Sequence, residues 1–168
     1  MLSKFLSSLI GLFILAALGM LIYTVANPIN NEKFTEFYIL GINGKAADYP
    51  TDFTLQNGQV VSVQYGNNIV PVSESYGRVT LGIVNREQQQ TDYTVVMQID
   101  GTPTNITFQG GNVQSLGPIV LAPEEQWQQE IGIIPQHAGN NQEVELFLYK
   151  DGGTTAYLNL HLWINVTQ

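Results

Sequence analysis

Residues 157–167 read YLNLHLWINVT. Leu158, Leu160, Leu162, Ile164 and Val166 fall on one side of a two-residue alternation, and Tyr157, Asn159, His161, Trp163 and Asn165 fall on the other. That period marks a half-buried strand, because successive side chains of an extended chain point to opposite faces. A slip of one residue would bury Asn and His and expose the aliphatic set, so the register is well specified.

The same pattern recurs upstream. Asp151-Gly152-Gly153 turns this strand back onto Glu143–Lys150, with Val144, Leu146 and Leu148 inward. Trp127–Ile134 places Trp127, Ile131 and Ile133 on one side, and Arg78–Asn85 alternates Val79, Leu81 and Ile83. Tyr93–Ile99 alternates Tyr93, Val95, Met97 and Ile99 and stops at Asp100-Gly101. Phe53–Leu55 and Gln59–Tyr65 are joined by Asn57-Gly58, a strong hairpin signal, with Val61, Val63 and Tyr65 expected on one face. Glu36–Leu40 is the first strand of the series. Asn67 to Ser75 reads as an exposed loop and Glu87–Thr91 as a polar hairpin tip. No helical period interrupts this series. It predicts an all-β domain, an antiparallel immunoglobulin-like β-sandwich, with a jelly roll as the alternative.

Ahead of it lies a segment of a different kind. From Phe5 to Ala26 no residue is charged. As a helix this segment is about 33 Å long, against a hydrocarbon core of about 30 Å. Asn27-Pro28 ends it. Lys4 and the α-amino group precede it, so the positive-inside rule places the N-terminus in the cytoplasm and the large domain outside. The competing reading is a signal peptide cleaved after Thr24-Val25-Ala26, but the apolar run exceeds the usual 7–15 residues or so. The expected organisation is a cytoplasmic tip at 1–4, one transmembrane α-helix at 5–26, a stalk at 27–35 and an extracytoplasmic sandwich at 36–168. The first partner is then the lipid bilayer, through Phe5 to Ala26, and the localisation is the cell membrane, single-pass.

Fourteen acidic and six basic residues give a net charge of -8. Such a surface repels phosphate backbones, which argues against nucleic acid as a partner. The chain has no cysteine, which excludes disulfides, thiolate metal sites and cysteine nucleophiles.

Five segments, in order, carry a resemblance: KFTEFYILG at 33–41, GKA at 44–46 followed by DYPT at 48–51, LGIVNRE at 81–87, ELFLYKDG at 145–152 and LHLWINV at 160–166. Together they resemble a largely archaeal, membrane-associated family known as a domain of unknown function, number 1616. The resemblance spans roughly 33–166 and implies a surface location. It supplies no catalytic residues. Members of that family often carry several membrane helices, whereas one is expected here.

The candidate chemistry is sparse. His137 lies in a loop and His161 on the outer face of the last strand, which does not make a metal site without added carboxylates. No Gly-x-Ser-x-Gly elbow occurs, and Glu143 and Glu145 have the spacing of any solvated strand face. No cofactor is expected. Calcium is the one weak exception, through turn carboxylates such as Asp48, Asp92, Asp100 and Asp151. Asn105-Ile-Thr and Asn165-Val-Thr are N-glycosylation sequons, with Asn105 in a Thr/Pro-rich loop the better placed. Tyr157, His161 and Trp163 form an aromatic outer face, either covered by a neighbour or used as a contact surface.

The function expected from these features is a non-enzymatic, membrane-anchored surface domain making protein or glycan contacts in the envelope. A pilin-like filament subunit is one alternative, although no basic-plus-Gly processing site precedes the helix. An accessory factor in extracellular glycan processing is the other.

Overall fold

The structure is a computed structural model that describes residues 14, 17–23, 32–71 and 75–168. The chain divides into two units, Met1–Glu32 and Lys33–Gln168. In the first, the described residues 17–23 are helical and exposed. Among the described residues no helix is long and apolar enough to cross a membrane. Most of the expected span Phe5 to Ala26, the tip at 1–4 and much of the stalk lie outside the described residues.

The second unit is a sandwich of two sheets. Its strands are β1 (Phe34–Leu40), β2 (Pro50–Gln56), β3 (Gln59–Tyr65), β4 (Asn68–Pro71), β5 (Gly77–Arg86), β6 (Thr91–Ile99) and β7 (Thr102–Thr104). They continue with β8 (Ile106–Phe108), β9 (Gly111–Val113), β10 (Leu116–Leu121), β11 (Gln126–Ile133), β12 (Gly139–Lys150) and β13 (Leu158–Thr167). The five-stranded sheet runs β1-β5-β11-β8-β9. The eight-stranded sheet runs β10-β6-β12-β13-β2-β3-β4, with β7 also paired to β6.

The alternating faces meet between the sheets. Leu81, Ile83, Tyr93, Val95, Leu146, Leu148, Ile164 and Val166 are all buried in one core cluster. Each such side chain contributes about 1.5–3 kcal/mol of hydrophobic stabilisation. Asn57 and Gly58 both take positive φ, at 53° and 77°, as a two-residue type I′ hairpin requires.

Four expectations need correction. The first strand starts at Phe34, two residues before the expected domain boundary at 36. Thr35 is already buried and side-chain bonded, so the end of the stalk belongs to the sheet. The sandwich is not wholly antiparallel, because β13 pairs parallel with β2 through Asn165↔Asp52, Val166↔Phe53 and Thr167↔Thr54. In β3 the inward residue is Val60 rather than Val61. A bulge shifts the register between Thr54↔Ser62 and Leu55↔Val60 and moves Val61 off the core face. Finally, Asn68–Pro71, expected as loop, adds β4 to the edge of β3.

The parallel pairing rests on Asn165. Its Nδ2 donates to Asp52 Oδ1 at 3.0 Å, and its Oδ1 accepts from the Asn141 backbone N–H at 3.0 Å. Replacing Asn165 by Ala leaves both partners short of a hydrogen bond. The expected cost is about 1–3 kcal/mol in urea unfolding. The substitution Leu146→Ala, in the core, should cost about 2–5 kcal/mol.

Candidate functional site

Two polar constellations stand out, one inside the sandwich and one on its surface. The inner one continues the core face of β5. After Val79, Leu81 and Ile83, the same alternation brings Asn85 and then Glu87 inward. Glu87, expected in a polar hairpin tip, is 4% exposed. The sequence signal was there: the inward period of β5 runs on past its last aliphatic residue.

Five side chains hold this carboxylate and its surroundings. Lys150 Nζ lies 2.9 Å from Glu87 Oε2. The hydroxyls of Thr35 and Tyr157 each donate to Oε1 at 2.9 Å. Thr35 has a single proton and gives it to Glu87, so Tyr93 donates to Thr35 Oγ1 across 2.7 Å. Asn85 locks the adjoining turns. Its Oδ1 accepts from the Glu87 backbone N–H at 2.9 Å, and its Nδ2 faces the carbonyls of Gln89 and Leu121 at 2.8 Å each.

The charges respond to this setting. Burial alone would raise the Glu87 carboxyl, but hydrogen bonds from Lys150, Tyr157 and Thr35 outweigh it and hold Glu87 below the usual range. Burial disfavours the Lys150 ammonium, yet the hydrogen bond and charge of Glu87 push Lys150 above its ordinary value. Burial, joined by its bond to Glu87, pushes the Tyr157 phenol up.

This reassigns Tyr157, which was grouped with the outer aromatic face. Its hydroxyl is committed to Glu87 and Lys150 Nζ sits 4.6 Å from its ring centroid. It precedes β13 and braces the inner network.

The outer constellation lies on the solvent face of the large sheet. His161 and Trp163 meet edge to face, with ring centroids 4.6 Å apart at 69°. Trp163 is 48% exposed, and no described residue of the sandwich covers it. Register places Glu143 opposite Trp163, and Glu145 opposite His161 on one side and Gln98 on the other. Directly opposed residues on one face have Cβ atoms about 4.5–5.5 Å apart. Aromatic rings, carboxylates and an amide therefore share one flat patch. The edge contact with His161 fixes the indole against rotation.

The remaining candidates separate. His137 is exposed in its loop, and its carbonyl accepts from Gln142 Nε2 at 3.2 Å. The turn carboxylates are used in separate places: Asp48 accepts from Asn43 Nδ2 within its own turn at 3.1 Å, and Asp100 Oδ1 accepts from the Glu143 N–H of β12 at 2.8 Å. Asp151 Oδ1 accepts from the Asp92 N–H at 3.2 Å. Among the described residues no three His, Asp or Glu side chains are grouped to hold a metal ion. Asn105 is exposed between β7 and β8, while Asn165 is half-buried in β13. Two clefts of about 420 and 480 Å³ flank Asn105, and neither is lined by a carboxylate.

A family model described as a domain of unknown function (DUF1616) matches residues 70–165. The chain belongs to the DUF1616 family. The match begins at β4 and ends within β13, so it takes in both Glu87 and the outer face. Among curated proteins, none matches the sequence. Of solved structures, the chain is similar to the CARDB domain of the PF1109 protein from Pyrococcus furiosus, solved in complex with di-metal ions. That likeness has 11% identity and a TM-score of 0.46, over 80% of this chain and 94% of that one. It is also similar to a β-glucosidase from Listeria innocua in complex with glucose, at 11% identity and a TM-score of 0.38. There it covers 80% of this chain and 16% of the enzyme. Both scores lie below 0.5.

The Glu87–Lys150 pair gives a signed pH prediction. Glu87 has a lowered pKa, so its stabilisation is complete above the unfolded-state value near 4.5 and is lost as pH falls through the folded one. Lys150 has a raised pKa, so its stabilisation is complete below about 10.5 and is lost as pH rises through the folded one. Urea unfolding across pH 3–11 should show a plateau between these limits, falling off on both sides. Lys150→Met strands the buried carboxylate and should cost about 3–5 kcal/mol at neutral pH.

Proposed function

We propose that this DUF1616 domain is a non-enzymatic surface module that holds glycans on the outer face of its large sheet. In this reading Phe5 to Ala26 anchors it in the cell membrane as a single span, with the N-terminus in the cytoplasm and an immunoglobulin-like sandwich outside. The observation that carries the reading is the exposed Trp163 indole, fixed by His161 and opposed by Glu143.

The chemistry of the patch fits a sugar. A flat indole face packs against the apolar C–H face of a pyranose. Carboxylates at Glu143 and Glu145 accept hydrogen bonds from hydroxyl groups, and the amides of Gln98 and Asn159 both donate and accept. A stable protein interface calls for an apolar centre within roughly 1,200–2,000 Å² of total buried surface. Around Trp163 the facing groups are polar, Glu143 opposite it and His161 beside it, while the exposed aliphatics Ile69 and Val120 stand on the outlying strands β4 and β10.

The test uses the full chain in detergent, titrated with a panel of neutral and amino-sugar oligosaccharides. Binding should appear for at least one member and weaken tenfold or more in Trp163→Ala, in line with the usual weight of aromatic hot spots. The thermal midpoint should stay close to that of the parent, because the indole is half exposed. Photo-crosslinking from position 159 in native membranes supplies the opposing arm. Absence of sugar binding, together with a crosslinked protein partner, would replace the glycan with a protein.

A further inference from the structure

The two sequons have identical chemistry in the sequence and different fates in the fold. Asn105 is where the chain crosses between sheets: β7 before it pairs with β6 of the large sheet, and β8 after it pairs with β11 of the small one. Its side chain is exposed and makes no hydrogen bond or ion pair among the described residues. Open clefts lie on both sides of it. It also lies at the end of the sandwich away from the entry of the chain. Entry at Phe34 pairs with Arg86 at the far end of β5, whereas β8 pairs with Gly132, the neighbour of Arg78 at the start of β5.

Asn165 has the opposite setting. It is half-buried, and its amide is used at both ends, by Asp52 and by the Asn141 N–H. The hydroxyl of its sequon threonine, Thr167, donates to the Phe53 carbonyl at 3.3 Å. A glycan on this amide would stand where β2 closes onto β13.

We propose that Asn105 is an N-glycosylation site and that Asn165 is not occupied in the folded chain. The donor is a lipid-linked oligosaccharide phosphate. Asn105 Nδ2 attacks the anomeric carbon, and a nitrogen–carbon bond forms as the bond from that carbon to the phosphate oxygen breaks. The lipid phosphate leaves with the electron pair, and one Nδ2 proton passes to a base of the transferase. Thr107 also fixes the timing. In the fold its hydroxyl donates to Asn112 Oδ1 at 2.9 Å and the residue is 6% exposed. Transfer therefore precedes closure of the β8–β9 hairpin, and the exposed position of Asn105 then lets the modified chain finish folding.

The proposal rests on the outer placement of the domain, and the experiment separates the two. The full chain is expressed in a host with an extracytoplasmic oligosaccharyltransferase, and its glycopeptides are mapped by mass spectrometry. The chain has no cysteine, so Thr154→Cys adds a unique thiol on an exposed turn for labelling with a membrane-impermeant maleimide. The expected result is labelling from outside and one glycan, on the Asn105 peptide, lost in Asn105→Gln and kept in Thr167→Val. Labelling from outside with an unmodified Asn105, or with a glycan on Asn165, overturns the proposal alone. A thiol protected in intact cells overturns the outer placement and the proposal with it.

Discussion

A carboxylate taken out of water must be met by donors, and Glu87 is met by three. Lys150 comes from β12, Thr35 from β1 and Tyr157 from the turn into β13, while Asn85 supports the Glu87 backbone from β5. Both sheets therefore contribute to a single buried charge. Removing any one donor leaves the others with a partly unpaired charge, which costs more than the lost bond itself. The pair fixes how the sheets sit on each other at one end of the sandwich. The aliphatic core, which is non-directional, fills the space between them but does not set that relation alone.

The surface patch depends on this bracing. Trp163 and His161 sit on β13, and β13 is held between β12 and β2. On one flank eight register pairs join it to β12, and on the other the Asn165 amide ties it to Asp52. An aromatic ring on such a strand is already ordered before anything binds, so binding loses little side-chain freedom. A flat, pre-set platform of this kind suits a ligand with its own flat apolar face.

Most of the sheet structure was legible in the sequence, and the reasons for the misses are specific. Strands with a core face, such as β5, β6, β12 and β13, announce themselves by period two, and the structure moves their ends by no more than four residues. The strands β7, β8 and β9 have three residues each, too short for any period to show. The bulge in β3 is a one-residue slip that no local pattern marks, since Val60 and Val61 are equally apolar. Glu87 was misread because polar residues near a turn are usually solvated. Only its phase with Val79, Leu81 and Ile83 pointed inward. The pairing of His161 with Trp163 followed from spacing alone, whereas separating Tyr157 from them required knowing that β13 begins one residue later.

The entry of the chain has a mechanical consequence. β1 is the first element of the sandwich, lies at the edge of the small sheet, and leads at its other end through a turn into β2 of the large sheet. A pull transmitted through Lys33 along the strand is resisted at that far end, so the seven register pairs from Phe34↔Arg86 to Leu40↔Thr80 are sheared together rather than unzipped one by one. The bond from Thr35 to Glu87 sits at the second of these pairs, where the tension arrives first. A domain tethered at this point would meet drag on whatever it holds first at a strand tied to a buried carboxylate, and acid, by protonating Glu87, would loosen that tie.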